Sequence, residues 1–152
     1  MFRRSSGALE VLLAHPGGPY FQKKDDGVWT IPKGETDSEE DLLTRAKIEF
    51  EEEVGCAPAG EWITLGWVKQ KGGKNVHGWA FEGNLAEGFA ARSNTFEIEW
   101  PPRSGKTQSF PEVDRVSFFS IEEAHRKIKE AQTPFLDRLC DALSSAVSLP
   151  AR

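Results

Sequence analysis

The sequence predicts an α/β sandwich, in which a mixed β-sheet surrounds one central acidic helix. Three observations lead to this prediction: short apolar or alternating runs indicate strands, a helical periodicity occurs in the middle of the chain, and two further helical segments follow near the C-terminus. At 152 residues the chain has the length of one ordinary domain. We therefore expect a single domain over residues 1–152 with one site.

The composition argues against several classes of protein. The hydrophobic fraction is 38%, with five Trp and ten Phe, which is too apolar for a disordered chain. The net charge is −5 and no run of Lys and Arg is longer than a pair, so bulk nucleic acid is not an expected partner. No segment resembles a membrane span or a secretory signal, and Cys56 and Cys140 lack the spacing of a zinc site or a disulfide framework. We expect a cytoplasmic protein with no membrane partner.

The first part of the chain contains two strand candidates. The run from Ala8 to Ala14 is mostly apolar and ends at a loop rich in Gly and Pro, as a well-buried strand would. The segment from Gly27 to Pro32 is a second short candidate, stopped by Pro32. Both would precede the central helix.

The central helix is predicted over about residues 42–54. Asp41 suits the N-cap position, and Gly55 stands where a left-handed C-terminal residue belongs. Apolar residues recur at three- and four-residue steps, as on one stripe of a helix: Leu43, Ala46, Phe50 and Val54.

The second half of the chain predicts more strands and two helices. A turn at residues 71–74 joins the first two strands into a hairpin, and residues 103–109 form a polar loop. Ser120 and Glu123 form a capping box that opens a helix toward Ala131, and residues 133–134 open the last helix. The strand candidates are Trp62 to Lys69, Val76 to Glu82, Thr95 to Trp100 and Val113 to Phe119.

Three glutamates share one edge of the central helix. At 100° per residue, Glu49, Glu52 and Glu53 fall within about 100° of arc. Like charges at these spacings cost a few tenths of a kcal/mol per pair, and a bound cation would reverse the sign. Mg²⁺ prefers hard oxygen ligands of this kind. The alternative is a solvated acidic face, which is what most charge runs are.

The residues around these glutamates resemble the Nudix box. From Gly34 the segment reads Gly, five residues, Glu40, seven residues, and then Ile-Glu-Phe-Glu-Glu-Glu-Val-Gly-Cys, ending at Cys56. The family pattern ends in Arg-Glu-apolar-any-Glu-Glu-any-Gly-apolar. Every fixed position matches except one, because Ile48 stands where the family has Arg. The preceding residues 29–34, Trp-Thr-Ile-Pro-Lys-Gly, are also similar to the family's lead-in to the box.

The resemblance implies a Nudix-type α/β/α sandwich with a mixed β-sheet and a central catalytic helix. It also implies a metal-dependent hydrolase that cleaves a pyrophosphate bond in a nucleoside diphosphate-linked small molecule. The metal ligands would be Glu49, Glu52 and Glu53, and the metal Mg²⁺, with Mn²⁺ possible. Glu52 is the first choice for the carboxylate that takes a proton from water, and Glu112 is the second.

Four residues are candidates for substrate binding. Lys33 and Gly34 belong to a Pro-Lys-Gly segment that resembles the one in Nudix members that cleave dinucleoside polyphosphates. The resemblance implies a substrate with a long phosphate chain, such as a nucleoside triphosphate or a dinucleoside polyphosphate. Arg103 and Lys106 lie on a Gly/Ser/Pro loop that could close over an anionic substrate. Ordinary solvated lysine or arginine is the alternative for each cation. Trp79 or Trp100 could stack on a base, or both could belong to the core, since both lie in alternating strands.

Two further points distinguish alternatives. The resemblance implies that the Arg of the family pattern orients the glutamates through charge-assisted hydrogen bonds, a role that Ile48 cannot fill. Ile48 therefore favours a second hypothesis, a catalytically weak Nudix-fold module that binds a nucleotide or a protein, unless Arg45 or Lys47 orients the glutamates instead. At the N-terminus, Nudix domains usually begin with a strand before the run seen here at Ala8, and only a few residues precede it. We expect this first strand to be truncated or missing.

Overall fold

The structure is a computed structural model that describes residues 1–33 and 41–148. This part of the chain contains seven β-strands and three α-helices. This confirms the predicted α/β class. A short 3₁₀ turn at Glu130–Gln132 precedes the last helix. The elements in chain order are β1 (Phe2–Ser5), β2 (Ala8–Pro16), α1 (Leu42–Val54), β3 (Ile63–Lys69), β4 (Asn75–Ala80), β5 (Thr95–Glu99), β6 (Thr107–Pro111), β7 (Val113–Ser120), α2 (Ile121–Lys127) and α3 (Thr133–Ser148).

The first strand is present, so the prediction that it is truncated or missing is wrong. β1 pairs antiparallel with β2, from Phe2 opposite Val11 to Ser5 opposite Ala8. The turn between them has positive φ at both residues, 51° at Ser6 and 80° at Gly7, which matches the twist of a two-residue hairpin. A Ser-Gly turn therefore lets four residues form a strand, and the burial of the Phe2 side chain holds that strand on the core.

The strand pairs are antiparallel. β1, β2 and β7 form one sheet in the order β1-β2-β7, while β3 pairs with β4 and β5 pairs with β6. Parallel pairing occurs as isolated bridges, between Phe2 and Glu82 and between Trp29 and Ile128. The sheet is thus mixed in its contacts although its regular ladders are antiparallel.

Helices cover both faces of β2. Successive side chains of a strand point to opposite faces. Val11 and Leu13 belong to the larger core cluster, to which α2 and α3 contribute residues that include Ala124, Phe135, Leu136 and Leu139. Leu12 belongs to the second cluster, with Phe50 and Val54 of α1 and with Phe81. The arrangement is therefore the predicted α/β/α sandwich, with α1 on one face and α2 and α3 on the other.

Three predicted boundaries need correction. The segment from Gly27 to Pro32 is not a regular strand, because its pairing is limited to single bridges at Trp29 and Thr30. The predicted loop at residues 103–109 ends earlier, because β6 begins at Thr107. The sequence did not indicate this strand, since residues 107–109 are all exposed and show no alternation of polar and apolar side chains. Helix α2 ends at Lys127, before the expected Ala131, since Ile128 is extended (φ −76°, ψ 151°).

Helix α1 begins and ends where the sequence predicts. The Asp41 carboxylate accepts a hydrogen bond from the Thr44 N–H at 3.2 Å, which caps the first turn. Gly55 has a φ of 97° and donates its N–H to the Glu51 carbonyl at 2.9 Å. Among the described helices, none is long and apolar enough to cross a membrane.

Candidate active site

The core fixes the rotation of α1 and so decides which glutamates face the sheet. Phe50 and Val54 are 4% and 0% exposed, and burying each contributes on the order of 1.5–3 kcal/mol. Glu49 and Glu53 flank this buried stripe and are themselves partly buried, whereas Glu52 is exposed. The helix therefore presents two half-buried carboxylates beside a third that faces solvent.

Glu53 is held by the segment that leads to the helix. The Lys33 backbone N–H donates a hydrogen bond to Glu53 Oε2 at 2.9 Å. Burial raises the pKa of Glu53 from its ordinary 4.5 to about 7, and the charges of Glu49 and Glu112 act in the same direction. The Lys33 hydrogen bond and charge oppose that rise without cancelling it.

Glu49 lies between opposing charges. Its side chain is 15% exposed, and the Arg45 guanidinium is 3.4 Å from Glu49 Oε1. Burial raises the pKa of Glu49, the charges of Glu52 and Glu112 raise it further, and Arg45 lowers it. Glu49 is thus a partly desolvated carboxylate that needs a positive charge near it.

Glu112 approaches the helix from the strand side. It lies between β6 and β7, where its N–H donates to the Asn94 carbonyl and its carbonyl accepts from the Gly17 N–H, both at 2.9 Å. The charge of Glu112 raises the pKa of both Glu49 and Glu53, so its carboxylate lies within electrostatic reach of the acidic edge of α1. The sequence-predicted acids therefore come from two elements that are far apart in the chain.

These carboxylates fit a divalent metal by their chemistry. Among the described residues, no three His, Cys, Asp or Glu side chains are gathered closely enough to hold a metal ion on their own. Like charges on one helix edge repel, so a splayed arrangement is expected without a cation. Mg²⁺ keeps several waters and is often bound by one or two carboxylates together with substrate phosphates, so it does not require a closed protein cage.

A cavity of about 450 Å³ opens beside Glu49, between α1 and the β3–β4 hairpin. Trp79 and His77 lie on the same face of β4 with stacked rings, 6.3 Å between centroids and 23° between planes. Cationic residues also border the cavity: Lys33, Arg45 and Lys74. Its remaining lining residues are Pro32, Leu42, Ala46, Gln70, Asn75 and Val76. The cavity combines aromatic surface, amides and positive charge.

Sequence reasoning missed most of this cavity. The alternation of side chains along β4 could have indicated it, because a period of two places Asn75, His77 and Trp79 on one face of the strand. Which face would meet α1 depends on the packing of the opposite face, where Gly78 lies against Phe135 of α3. That contact could not be read from the sequence.

The predicted substrate-binding residues do not all fall together. Lys33 borders the cavity, while Gly34, like Glu40 of the box, lies outside the described residues. Arg103 and Lys106 are exposed at the tip of the β5–β6 hairpin, where the Arg103 N–H donates to Glu99 Oε1 at 2.7 Å. The hairpin runs four residues from Thr107 to Pro111, so its tip is about 13 Å along the strand from the Glu112 end. Both residues remain predictions.

The structure also shows the surroundings of Ile48, the residue that departs from the box pattern, and of its basic neighbours. Ile48 is 39% exposed. The Lys47 ammonium lies over the Trp62 ring, 5.4 Å from its centroid, whereas Arg45 pairs with Glu49. Of the two cations that could replace the missing Arg, the one that contacts a carboxylate of the site is Arg45.

Comparison with known proteins places this geometry in a family. The NUDIX domain model matches residues 1–139. A solved Ap4A hydrolase binary complex from C. elegans has a TM-score of 0.59 at 23% identity, covering 95% of this chain and 93% of that one. The NUDIX domain of Shewanella oneidensis NrtR, complexed with ADP ribose, has a TM-score of 0.62 at 14% identity, covering 93% and 82%.

A mutT/nudix family protein from Listeria innocua has a TM-score of 0.59 at 16% identity, covering 98% of this chain and 91% of that one. No curated protein matches the sequence. At these identities the structural likeness shows the fold, and it confirms the predicted sandwich.

Proposed function

This chain belongs to the Nudix family, and we propose that it is a pyrophosphohydrolase that cleaves a nucleoside triphosphate or a dinucleoside polyphosphate with the help of Mg²⁺. One observation carries the proposal: the acidic edge of α1, with Glu49 and Glu53, adjoins a cavity lined by aromatic and cationic side chains. A polyphosphate needs both halves of this arrangement, since metal-bridged phosphates require carboxylates and a nucleoside requires a stacking surface.

In the proposal Glu49, Glu52 and Glu53 hold the metal. The family generally uses divalent metal ions, and Mn²⁺ is the alternative to Mg²⁺ here. When bound, the metal neutralises charge on the phosphates and lowers the pKa of water. The burial that raises the pKa values of Glu49 and Glu53 supports this assignment, because a cation would offset the cost of keeping both ionised.

The proton from the attacking water goes to a carboxylate, and two residues can accept it. Glu52 is exposed on the helix edge and can reach a water beside its neighbours. Glu112 is favoured by another observation, since two hydrogen bonds hold its backbone in place and its charge acts on both Glu49 and Glu53. We propose Glu52 as the base and Glu112 as the alternative.

The cavity is the proposed nucleoside site. A base stacked on Trp79 would have Gln70 and Asn75 in the same lining, whose amides can donate to and accept from its edge. Lys33 belongs both to the cavity and to the segment that contacts Glu53, so its ammonium suits a phosphate between the nucleoside and the metal. Arg103 and Lys106 would reach only a long substrate.

A panel of nucleotides assayed with Mg²⁺, with the products separated, tests this function. Glu52→Gln should lower turnover by about 10²- to 10⁴-fold if Glu52 is ligand or base, and Glu112→Gln by about 10²-fold or more only if Glu112 is the base. Glu51→Gln is the matched control, because Glu51 carries the same charge on the exposed side of the helix. Near-normal turnover in Glu52→Gln would remove that residue from the mechanism.

The second candidate function is a nucleotide-binding module with weak catalysis, which the Ile48 departure favours. The same panel distinguishes it. Saturable nucleotide binding in calorimetry, with no product formed from any nucleotide at high enzyme concentration, would support the module and overturn the hydrolase proposal.

A further inference from the structure

The Arg45–Glu49 ion pair is placed to do more than stabilise α1. We propose that Arg45 is the positioning residue for Glu49, fixing the carboxylate so that it can hold the metal, in a chain whose box has Ile48 instead of Arg. The inference rests on the proposed function for its catalytic consequence. Its structural basis is the geometry of the helix and of the residues that pack against it.

The pair is more strongly desolvated than an ordinary surface ion pair. The Arg45 and Glu49 side chains are 25% and 15% exposed, and their N···O distance is 3.4 Å at an i,i+4 spacing. Residues four apart differ by only about 40° around a helix, so the guanidinium reaches down the same side to the carboxylate. Half-buried charges at this distance are less screened by water than exposed ones, so the pair constrains the carboxylate.

The other neighbours of Glu49 make this constraint necessary. Glu52 and Glu112 are both acidic, and each adds negative charge near the Glu49 carboxylate. Arg45 supplies the opposing positive charge, and its contact with Oε1 holds the Glu49 carboxylate on the side of α1 that borders the cavity.

The contact leaves the carboxylate able to ligate. The guanidinium meets Oε1 of Glu49, so the second oxygen can turn toward a cation on the other side. An ammonium would act as a point charge, whereas a planar guanidinium also fixes direction, so Arg is better suited than Lys to this role.

The two nearby alternatives do not fit. The Lys47 ammonium lies over the ring of Trp62, and its position is about 200° around the helix from Glu49. Ile48 is apolar and 39% exposed, so it offers no donor to any carboxylate. The family's Arg would orient the glutamates from position 48. In this chain Arg45, one turn earlier, supplies that function.

The test measures metal binding without substrate. Mn²⁺ is titrated into full-length protein and free Mn²⁺ is followed by electron paramagnetic resonance. Arg45→Ala should weaken Mn²⁺ binding by about tenfold, equal to about 1.4 kcal/mol, although it removes a positive charge that would by itself repel the ion. Lys47→Ala removes the same charge from the same helix and should leave binding unchanged or slightly tighter.

The remaining variants separate positioning from general damage. Arg45→Ala should change the melting temperature by about 1–2 °C only, since the pair is a modest contribution to folding. Arg45→Lys should recover part of the loss. Ile48→Arg should change the activity of the wild type by less than about twofold, yet restore part of the Mn²⁺ binding and turnover in the Arg45→Ala background, because its guanidinium, at i,i+4 from Glu52, can fix another carboxylate of the same helix edge.

Three outcomes would overturn the inference. Equal Mn²⁺ affinity in Arg45→Ala and wild type would show that Arg45 does not position a ligand, while hydrolysis by the wild type would leave the proposed function standing. A severalfold gain from Ile48→Arg in the wild type would show that Arg45 does not replace the missing residue. A wild type that neither binds Mn²⁺ nor hydrolyses any nucleotide would overturn the proposed function and this inference together.

Discussion

Replacing Glu53 with Gln should strongly lower turnover and, at the same time, stabilise the metal-free protein. Glu53 is a proposed metal ligand with a half-buried carboxylate whose pKa burial raises from 4.5 to about 7. At about 1.36 kcal/mol per pKa unit, that shift corresponds to a cost of roughly 3 kcal/mol for keeping Glu53 ionised in the folded state. Gln has nearly the same volume, carries no charge and can still accept the hydrogen bond from the Lys33 N–H.

The sign of the pH dependence follows from the raised pKa. Below about pH 4.5 the carboxyl is protonated in both the folded and the unfolded protein, so it costs nothing. As the pH rises from 4.5 to 7 the unfolded state ionises first, and above about 7 the full cost is present. The stability advantage of Glu53→Gln should therefore be greatest at pH 8 and should close by pH 5.

The assay is thermal unfolding in chelator at pH 5 and pH 8. A gain of a few degrees is expected at pH 8, with about 10 °C as the upper limit for a domain of this size. Added Mg²⁺ should raise the melting temperature of the wild type and not that of Glu53→Gln, because only a folded site with its ligands gains from the ion. Turnover should fall by about 10²- to 10⁴-fold.

Glu51→Gln is the control, since it removes the same charge from an exposed position and should alter neither quantity. The reasoning would be refuted if Glu53→Gln melted at or below the wild-type temperature at pH 8 in chelator. It would also be refuted if the difference between the two proteins did not depend on pH.

Two further predictions concern the cavity and the end of α1. Trp79→Ala should raise KM for nucleotides about 5- to 100-fold with little change in kcat, because a base would stack on this ring. Trp67→Ala is the control, since Trp67 is 52% exposed and lies outside the cavity lining. It should leave KM within about twofold. Equal effects of the two variants in steady-state kinetics would argue against stacking at Trp79. Gly55→Ala should lower the melting temperature by several degrees, because a Cβ at φ 97° would lie 2.8 Å from the Cβ of Arg92. Gly73→Ala is the control, since Gly73 has a similar φ of 85° but a Cβ there would meet nothing within 4 Å. Its loss should be smaller. Thermal unfolding of the pair isolates the clash, and equal losses would show that backbone conformation alone matters.

Local sequence signals were sufficient where the structure is itself local. Helix α1 has the predicted bounds because Asp41 and Gly55 cap it and the apolar period of residues 43–54 sets its buried side. The strand candidates near β3, β4, β5 and β7 were correct for the same reason, since each shows a period of two or a buried apolar run. The sequence signal was absent from β6, whose three exposed polar residues carry no alternation.

By itself, the sequence determined that three glutamates lie on one edge of one helix within a Nudix box, because spacing along a helix fixes angle around it. Only the tertiary structure decided what meets that edge. Glu112 is 59 residues from Glu53 in the chain, yet the packing of the strands around it brings its charge close enough to raise the Glu53 pKa. Trp79 borders the cavity because the other face of β4 is packed against α3. Likewise, helical spacing alone puts Arg45 beside Glu49, but the burial of Phe50 and Val54 rotates α1 so that Lys47 lies over the ring of Trp62. Contacts between distant segments depend on which apolar faces the core buries together, and that choice is made by the whole chain.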